Sequence, residues 1–73
     1  MREKLIELLE EISPNFNPDE QGLIDNGVLS SLDLLQLISA IDDEFDIAIP
    51  PTKIKPANFN SVDEIVKLLE SLE

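Results

Sequence analysis

The chain contains no cysteine and no histidine. Without cysteine it has neither a disulfide framework nor a thiolate metal site. Without histidine it lacks the usual general base, the commonest transition-metal ligand, and any Ser-His or Cys-His nucleophile pair. Tryptophan and tyrosine are absent, and only two glycines occur, Gly22 and Gly27. Two glycines do not make a phosphate-cradling loop. No apolar run approaches the roughly 18 residues of a membrane span, and the N-terminus is acidic and amphipathic, unlike a signal peptide. A soluble cytoplasmic protein is the expectation.

Positive charge is also scarce. Sixteen acids stand against five bases for a net charge of −11 over 73 residues. No base falls between Lys4 and Lys53, and that span carries the whole excess, from Glu7 through Asp25 and Asp33 to Asp42, Asp43, Glu44 and Asp46. Such a field repels nucleic acid and anionic membranes and steers basic protein surfaces toward it. It also favours a monomer. Carboxylates are plentiful enough to suggest an acid/base pair, but such a pair needs a cleft whose walls shift its pKa values. A chain this small hardly builds one. Asp25-Asn26-Gly27 does not continue as a calcium-binding ladder. Independent catalysis is not expected: the chain does not read as an enzyme.

What is present is helical. Leu5, Leu8, Leu9 and Ile12 recur at i, i+3, i+4, i+7 against Glu3, Glu7, Glu10 and Glu11, predicting a surface helix over Arg2 to Ile12. Ser13-Pro14 ends it. From Asn15 to Leu29 no period is sustained, and Phe16, Leu23, Ile24, Val28 and Leu29 are available to pin a long connection to the core. A second helix is expected over about Ser31 to Glu44, with Leu34, Leu37, Ile38, Ile41 and Phe45 on the core arc. Leu32 and Leu35 lie on the far side with Gln36 and Ser39. Either the preceding loop folds back over them, or two exposed leucines rimmed by Asp33, Asp42 and Asp43 form a docking strip. Asp46 to Pro51 reads as an extended connection burying Ile47 and Ile49. Thr52 to Phe59 suggests one or two short turns broken at Pro56. A final helix carries Val62, Ile65, Leu68, Leu69 and Leu72, opened by a capping box of Ser61 and Glu64. The sum is an all-α four-helix bundle with a long first loop and a short third helix, residues 1–73 forming a single domain.

One stretch carries the functional signal. In Asp25-Asn26-Gly27-Val28-Leu29-Ser30-Ser31-Leu32-Asp33, Ser30 and Asp33 have the spacing of a capping box, so Ser31 becomes the first residue inside the second helix. Its hydroxyl then stands at the positive end of the helix dipole, where unpaired backbone N–H groups favour a phosphate. A serine in such a place is most often structural.

The run from Leu23 to Pro50 resembles the acyl carrier protein family, which includes peptidyl and D-alanyl carriers. The match rests on Gly27, Ser31-Leu32-Asp33, Leu37, Ile41, Asp42-Asp43-Glu44, Phe45 and Ile49-Pro50. The resemblance implies that Ser31 receives 4′-phosphopantetheine from coenzyme A through a holo-synthase (a phosphopantetheinyl transferase). It implies that acyl or aminoacyl groups then ride on the arm as thioesters. Leu32, Asp33, Leu35, Gln36, Ser39, Asp42 and Asp43 would dock the synthase, a loading ligase and client enzymes with basic surfaces. The aspartate usual before the serine is Ser30 here. Gly27 stands four residues before Ser31, as in D-alanyl and stand-alone aminoacyl carriers. Pro56-x-Asn58-Phe59-x-Ser61 is similar to carriers paired with an adenylating ligase. The cargo stays open among fatty acyl, β-hydroxyacyl, D-alanyl and other aminoacyl groups, with fatty acid biosynthesis among the pathways. The alternative reading is an unmodified acidic interaction module of the same fold.

Overall fold

A computed structural model describes residues 1–73. The amphipathic stripes become four helices, α1 (Arg2–Ile12), α2 (Ser31–Phe45), α3 (Pro56–Phe59) and α4 (Val62–Leu72), with a single 3-10 turn at Pro51–Lys53 ahead of α3. No strand forms. Helix α1 packs on α2 and on α4, and α3 packs on α4. Thirteen buried apolar residues form one continuous core. Leu5 and Leu9 of α1, Leu37 and Ile41 of α2, and Ile65 and Leu69 of α4 are fully enclosed with Phe59. Each such leucine contributes about 1.5–3 kcal/mol through removal from water. Leu8, Ile12, Leu34, Ile38, Phe45 and Leu72, expected on the same stripes, line its half-buried margin.

The ends follow from local chemistry. Ser13 leaves the helical region ahead of Pro14, with φ −127° and ψ 109°, while its N–H still reaches the Leu9 carbonyl. Asp46 closes α2 in the left-handed region at φ 57°, its N–H donating to Asp42 O. Ile47 and Ile49 are buried in the extended segment that follows. Pro56 corrects one expectation. It separates two short turns, but it also starts the second, standing at the first position of α3, where the missing N–H costs nothing. The second correction is at α4. Ser61 Oγ accepts from Glu64 N at 3.1 Å, but only that half of the expected capping box is made.

Across α1 and α2, Lys4 Nζ meets Glu44 Oε1 at 3.2 Å. The hydrogen bond to Glu44, then the charges of Glu44 and Glu7, hold the Lys4 ammonium above its ordinary pKa. Arg2 pairs with Asp63 at the start of α4. No helix is long and apolar enough to cross a membrane.

The long first loop takes an ordered course. Leu23 and Leu29 are buried, and Phe16, Ile24 and Val28 pack against the core beside them. Its backbone closes on itself through Asn26 N to Gly22 O at 2.7 Å and Leu29 N to Leu23 O at 2.9 Å. Ser13 Oγ donates to Val28 O at 3.1 Å. The buried leucines fix where the loop lies, and these bonds satisfy the backbone that burial takes from water.

Candidate functional site

The loop ends where α2 begins. Ser30 is extended, at φ −82° and ψ 175°, as a helix N-cap must be. Its Oγ accepts from Asp33 N at 3.1 Å, and Asp33 Oδ2 accepts from Ser30 N at 3.1 Å, so the capping box is complete. Both polar groups of that pair are committed to the helix terminus. Ser31 is therefore left as the first helical residue with no capping duty, and it is exposed.

Two features shape the loop that leads to it. Gly27 has φ +77°, with open space where a Cβ would stand, so the need for glycine is in the backbone alone. Asn60, between α3 and α4, clasps the loop from the other side. Its Oδ1 accepts from Ile24 N at 3.0 Å and Asp25 N at 3.2 Å, and its own carbonyl accepts from Leu23 N at 2.8 Å. Its Nδ2 donates to Asp25 Oδ2 at 3.3 Å. The sequence offered no periodic or motif signal for this residue; only the closed fold brings positions 24 and 60 together.

Ser31 stands on the lip of a cleft of about 400 Å³ between the end of the loop, the head of α2 and the segment leading into α3. Ile24, Leu29, Leu34, Ile54 and Pro56 give it an apolar lining. Gly27, Ser30, Ser31 and Lys55 complete the wall. Lys55 was not singled out from sequence, although it is one of the first two bases after the long acidic span.

The face of α2 beside Ser31 is bare. Leu32 is 71% and Leu35 62% exposed, so the preceding loop does not cover them. Gln36, Ser39, Asp42 and Asp43 are exposed on the same helix, while Asp33 is half-buried in the capping box.

Ser31 is thus a reachable hydroxyl at a helix head, on a cleft whose lining includes both apolar residues and Lys55. The family model described as the phosphopantetheine attachment site matches residues 1–69. The chain is similar to a D-alanyl carrier protein of Lactobacillus helveticus, 30% identical over 54 residues, covering 74% of this chain and 68% of that protein. It is 29% identical over 68 residues to the D-alanyl carrier protein of Lactococcus lactis subsp. cremoris, covering 89% of this chain and 86% of that one. Aminoacyl carrier protein 1 of Bradyrhizobium diazoefficiens is 38% identical over 47 residues, 64% of this chain and 51% of that protein. The chain belongs to the phosphopantetheine attachment site family. It is a carrier domain of the all-α acyl-carrier fold, and its covalent cofactor is 4′-phosphopantetheine.

Proposed function

We propose that Ser31 is the residue that receives the arm and that residues 1–73 act as a single, non-catalytic carrier domain for a small aminoacyl group. The observation that carries the assignment is the division of labour at the head of α2. Ser30 performs the cap, leaving the Ser31 hydroxyl exposed and unencumbered at the positive end of the helix dipole. In the transfer, Ser31 Oγ attacks the β-phosphorus of coenzyme A and its proton passes to a base on the transferase. The bond to the leaving adenosine 3′,5′-bisphosphate breaks. The arm then supplies a terminal thiol, which this cysteine-free chain lacks, on which cargo is held as a thioester.

What the protein itself contributes is presentation. Leu32 and Leu35 supply an apolar contact for partners, and Gln36, Ser39, Asp42 and Asp43 supply a polar, acidic rim that selects basic surfaces. Asp33 acts there through the cap, by fixing the orientation of the helix head. The partners are a phosphopantetheinyl transferase, a ligase that loads the aminoacyl group, and the enzymes that take it away, with a cytoplasmic site of action. The names of the relatives favour an aminoacyl cargo, D-alanyl among the candidates, over the fatty acyl group that fatty acid biosynthesis would demand.

The test is intact mass after incubation with coenzyme A and a broad-specificity transferase. The native chain gains one phosphopantetheine and Ser31→Ala gains none. A native chain of unchanged mass refutes the assignment and returns the unmodified interaction module.

A further inference from the structure

The cleft beside Ser31 has a chemical polarity that the attachment step alone does not use. Of five bases, Arg2 is paired with Asp63 and Lys4 with Glu44. Lys55 pairs with none of the sixteen carboxylates, and it is one of the residues that line the same cleft as Ser31. Lys53 and Lys67 are also exposed and unpaired, but neither lines the cleft. What sets Lys55 apart in a chain of net charge −11 is its place in that lining.

We propose that the cleft seats the proximal half of the prosthetic arm, with the Lys55 ammonium as counter-ion to the phosphodiester on Ser31. The inference rests on the assignment of Ser31 made above. The first part of the arm is an anionic phosphodiester followed by a branched, apolar pantoyl unit. The lining holds groups of both kinds, a lysine and two serines together with Leu34, Ile54 and Pro56. A volume of about 400 Å³ falls in the range of small-molecule clefts, about 300–1,000 Å³. Lys55 supplies the only positive side chain in the lining, set within a chain whose overall field repels the phosphate. The backbone around it is held, because Asn58 Nδ2 donates to Lys53 O at 2.7 Å and Lys55 N to the same oxygen at 3.1 Å.

An exposed pair of this kind adds little to folding stability and is screened by salt. Its effect is on where the arm rests. With the proximal half seated, the distal thiol swings from the α3 side of Ser31, leaving Leu32 and Leu35 bare for a partner.

The test uses the holo protein, its mass confirmed, and reads ³¹P and ¹H–¹⁵N NMR. Attachment should shift the amides of Ile54 and Lys55 as well as those of Ser30 to Leu32. In Lys55→Gln the ³¹P resonance should move and the Ile54 and Lys55 amide shifts should fall by at least about half, toward their apo positions. Lys53→Gln, with the same change of charge, should alter neither, and Lys55→Arg should keep both. Raising salt to about 0.5 M should bring native holo protein toward the Lys55→Gln spectrum, since the screening length then falls below roughly 5 Å. Attachment shifts confined to Ser30 to Leu32, or equal responses in the two glutamine variants, would overturn the seat while leaving the Ser31 assignment standing. A native chain that gains no mass overturns both.

Discussion

Asn60 holds the backbone of Ile24 by its side-chain oxygen, at 3.0 Å across thirty-six positions of sequence. With Asp25 N on the same oxygen and Leu23 N on the Asn60 carbonyl, one residue secures three successive amides of the loop that leads to the site. Asn60→Ala removes the shared acceptor and leaves the half-buried Ile24 amide unpaired, which costs about 1–3 kcal/mol. The expected result is a melting temperature lower by about 4–8 °C for each kcal/mol lost. Hydrogen exchange at Ile24 and Asp25 should accelerate in the same variant, ahead of exchange in α2. Equal acceleration throughout the chain would mean that Asn60 supports the whole fold rather than this loop.

Ser30 and Ser31 are neighbours with separable duties, and two substitutions should part them. Ser30→Ala deletes the side-chain half of a complete capping box, and such losses run to about 0.5–2 kcal/mol. Its product should still accept the prosthetic group. Ser31→Ala removes an exposed hydroxyl with no structural partner, so its stability should stay within about 0.5 kcal/mol of native. That variant should gain no mass with coenzyme A. Thermal melts and intact-mass spectra of the two proteins give four readings, and a collapse of helicity in Ser31→Ala would mean the cap is misassigned.

These two cases mark what was legible beforehand. The spacing of Leu5, Leu9, Leu37, Ile41, Ile65 and Leu69 is local, and 3.6-residue periodicity writes helices into a sequence directly. The Ser30–Asp33 box is local too, spanning four residues, so the position of Ser31 could be read without the fold. Asn60 bonds to amides more than thirty positions away, and Lys55 lines a cleft with Ser31, which stands twenty-four positions before it. Their roles arise only once α3 is brought against the first loop, and asparagine or lysine at a bend is compatible with many duties. The Glu64 half of the α4 box failed for a related reason. Spacing makes the reciprocal bond feasible, but an exposed glutamate also has water as a partner.

Self-repulsion should make the fold respond to salt in an uncommon direction. Only two ion pairs exist, both exposed and so of little weight, and screening weakens them. Against them stand eleven acids between Lys4 and Lys53 with no intervening base, of which only Glu44 belongs to a pair. Their repulsion is greatest in the compact state, so screening relieves the folded chain more than the unfolded one. Adding monovalent salt, or a few millimolar of a divalent cation, should raise the melting temperature. A flat or falling response would show that the two pairs outweigh the excess.

The bare leucines should matter to partners and not to folding. Leu32 and Leu35 are mostly in water already, so Leu32→Ser and Leu35→Ser forfeit little burial, and each should change stability by no more than about 0.5 kcal/mol. If the strip seats the transferase, each leucine contributes on the order of 1–2 kcal/mol to the encounter. The kcat/KM for holo formation should then fall about 5- to 30-fold in each variant, with melting unchanged. Undiminished kcat/KM in the double variant would mean this face of α2 does not seat the transferase.

At the far end of α2, Asp46 occupies a backbone conformation at φ 57° that aspartate tolerates and glycine prefers. It also adds a negative charge at the helix terminus that already carries partial negative charge, next to Asp42, Asp43 and Glu44. Asp46→Gly relieves both, offset in part by the greater freedom of glycine in the unfolded chain. The expected net gain is about 0.5–1.5 kcal/mol. Asp46→Val keeps the loss of charge but forces a β-branched side chain into the left-handed region, and should destabilise by about 1–2 kcal/mol. Because Asp46 lies about 22 Å along the helix axis from Ser31, neither change should alter holo formation at temperatures where the variant is folded. Opposite shifts in melting with the same mass gain would separate the stability of the helix from the chemistry at its head.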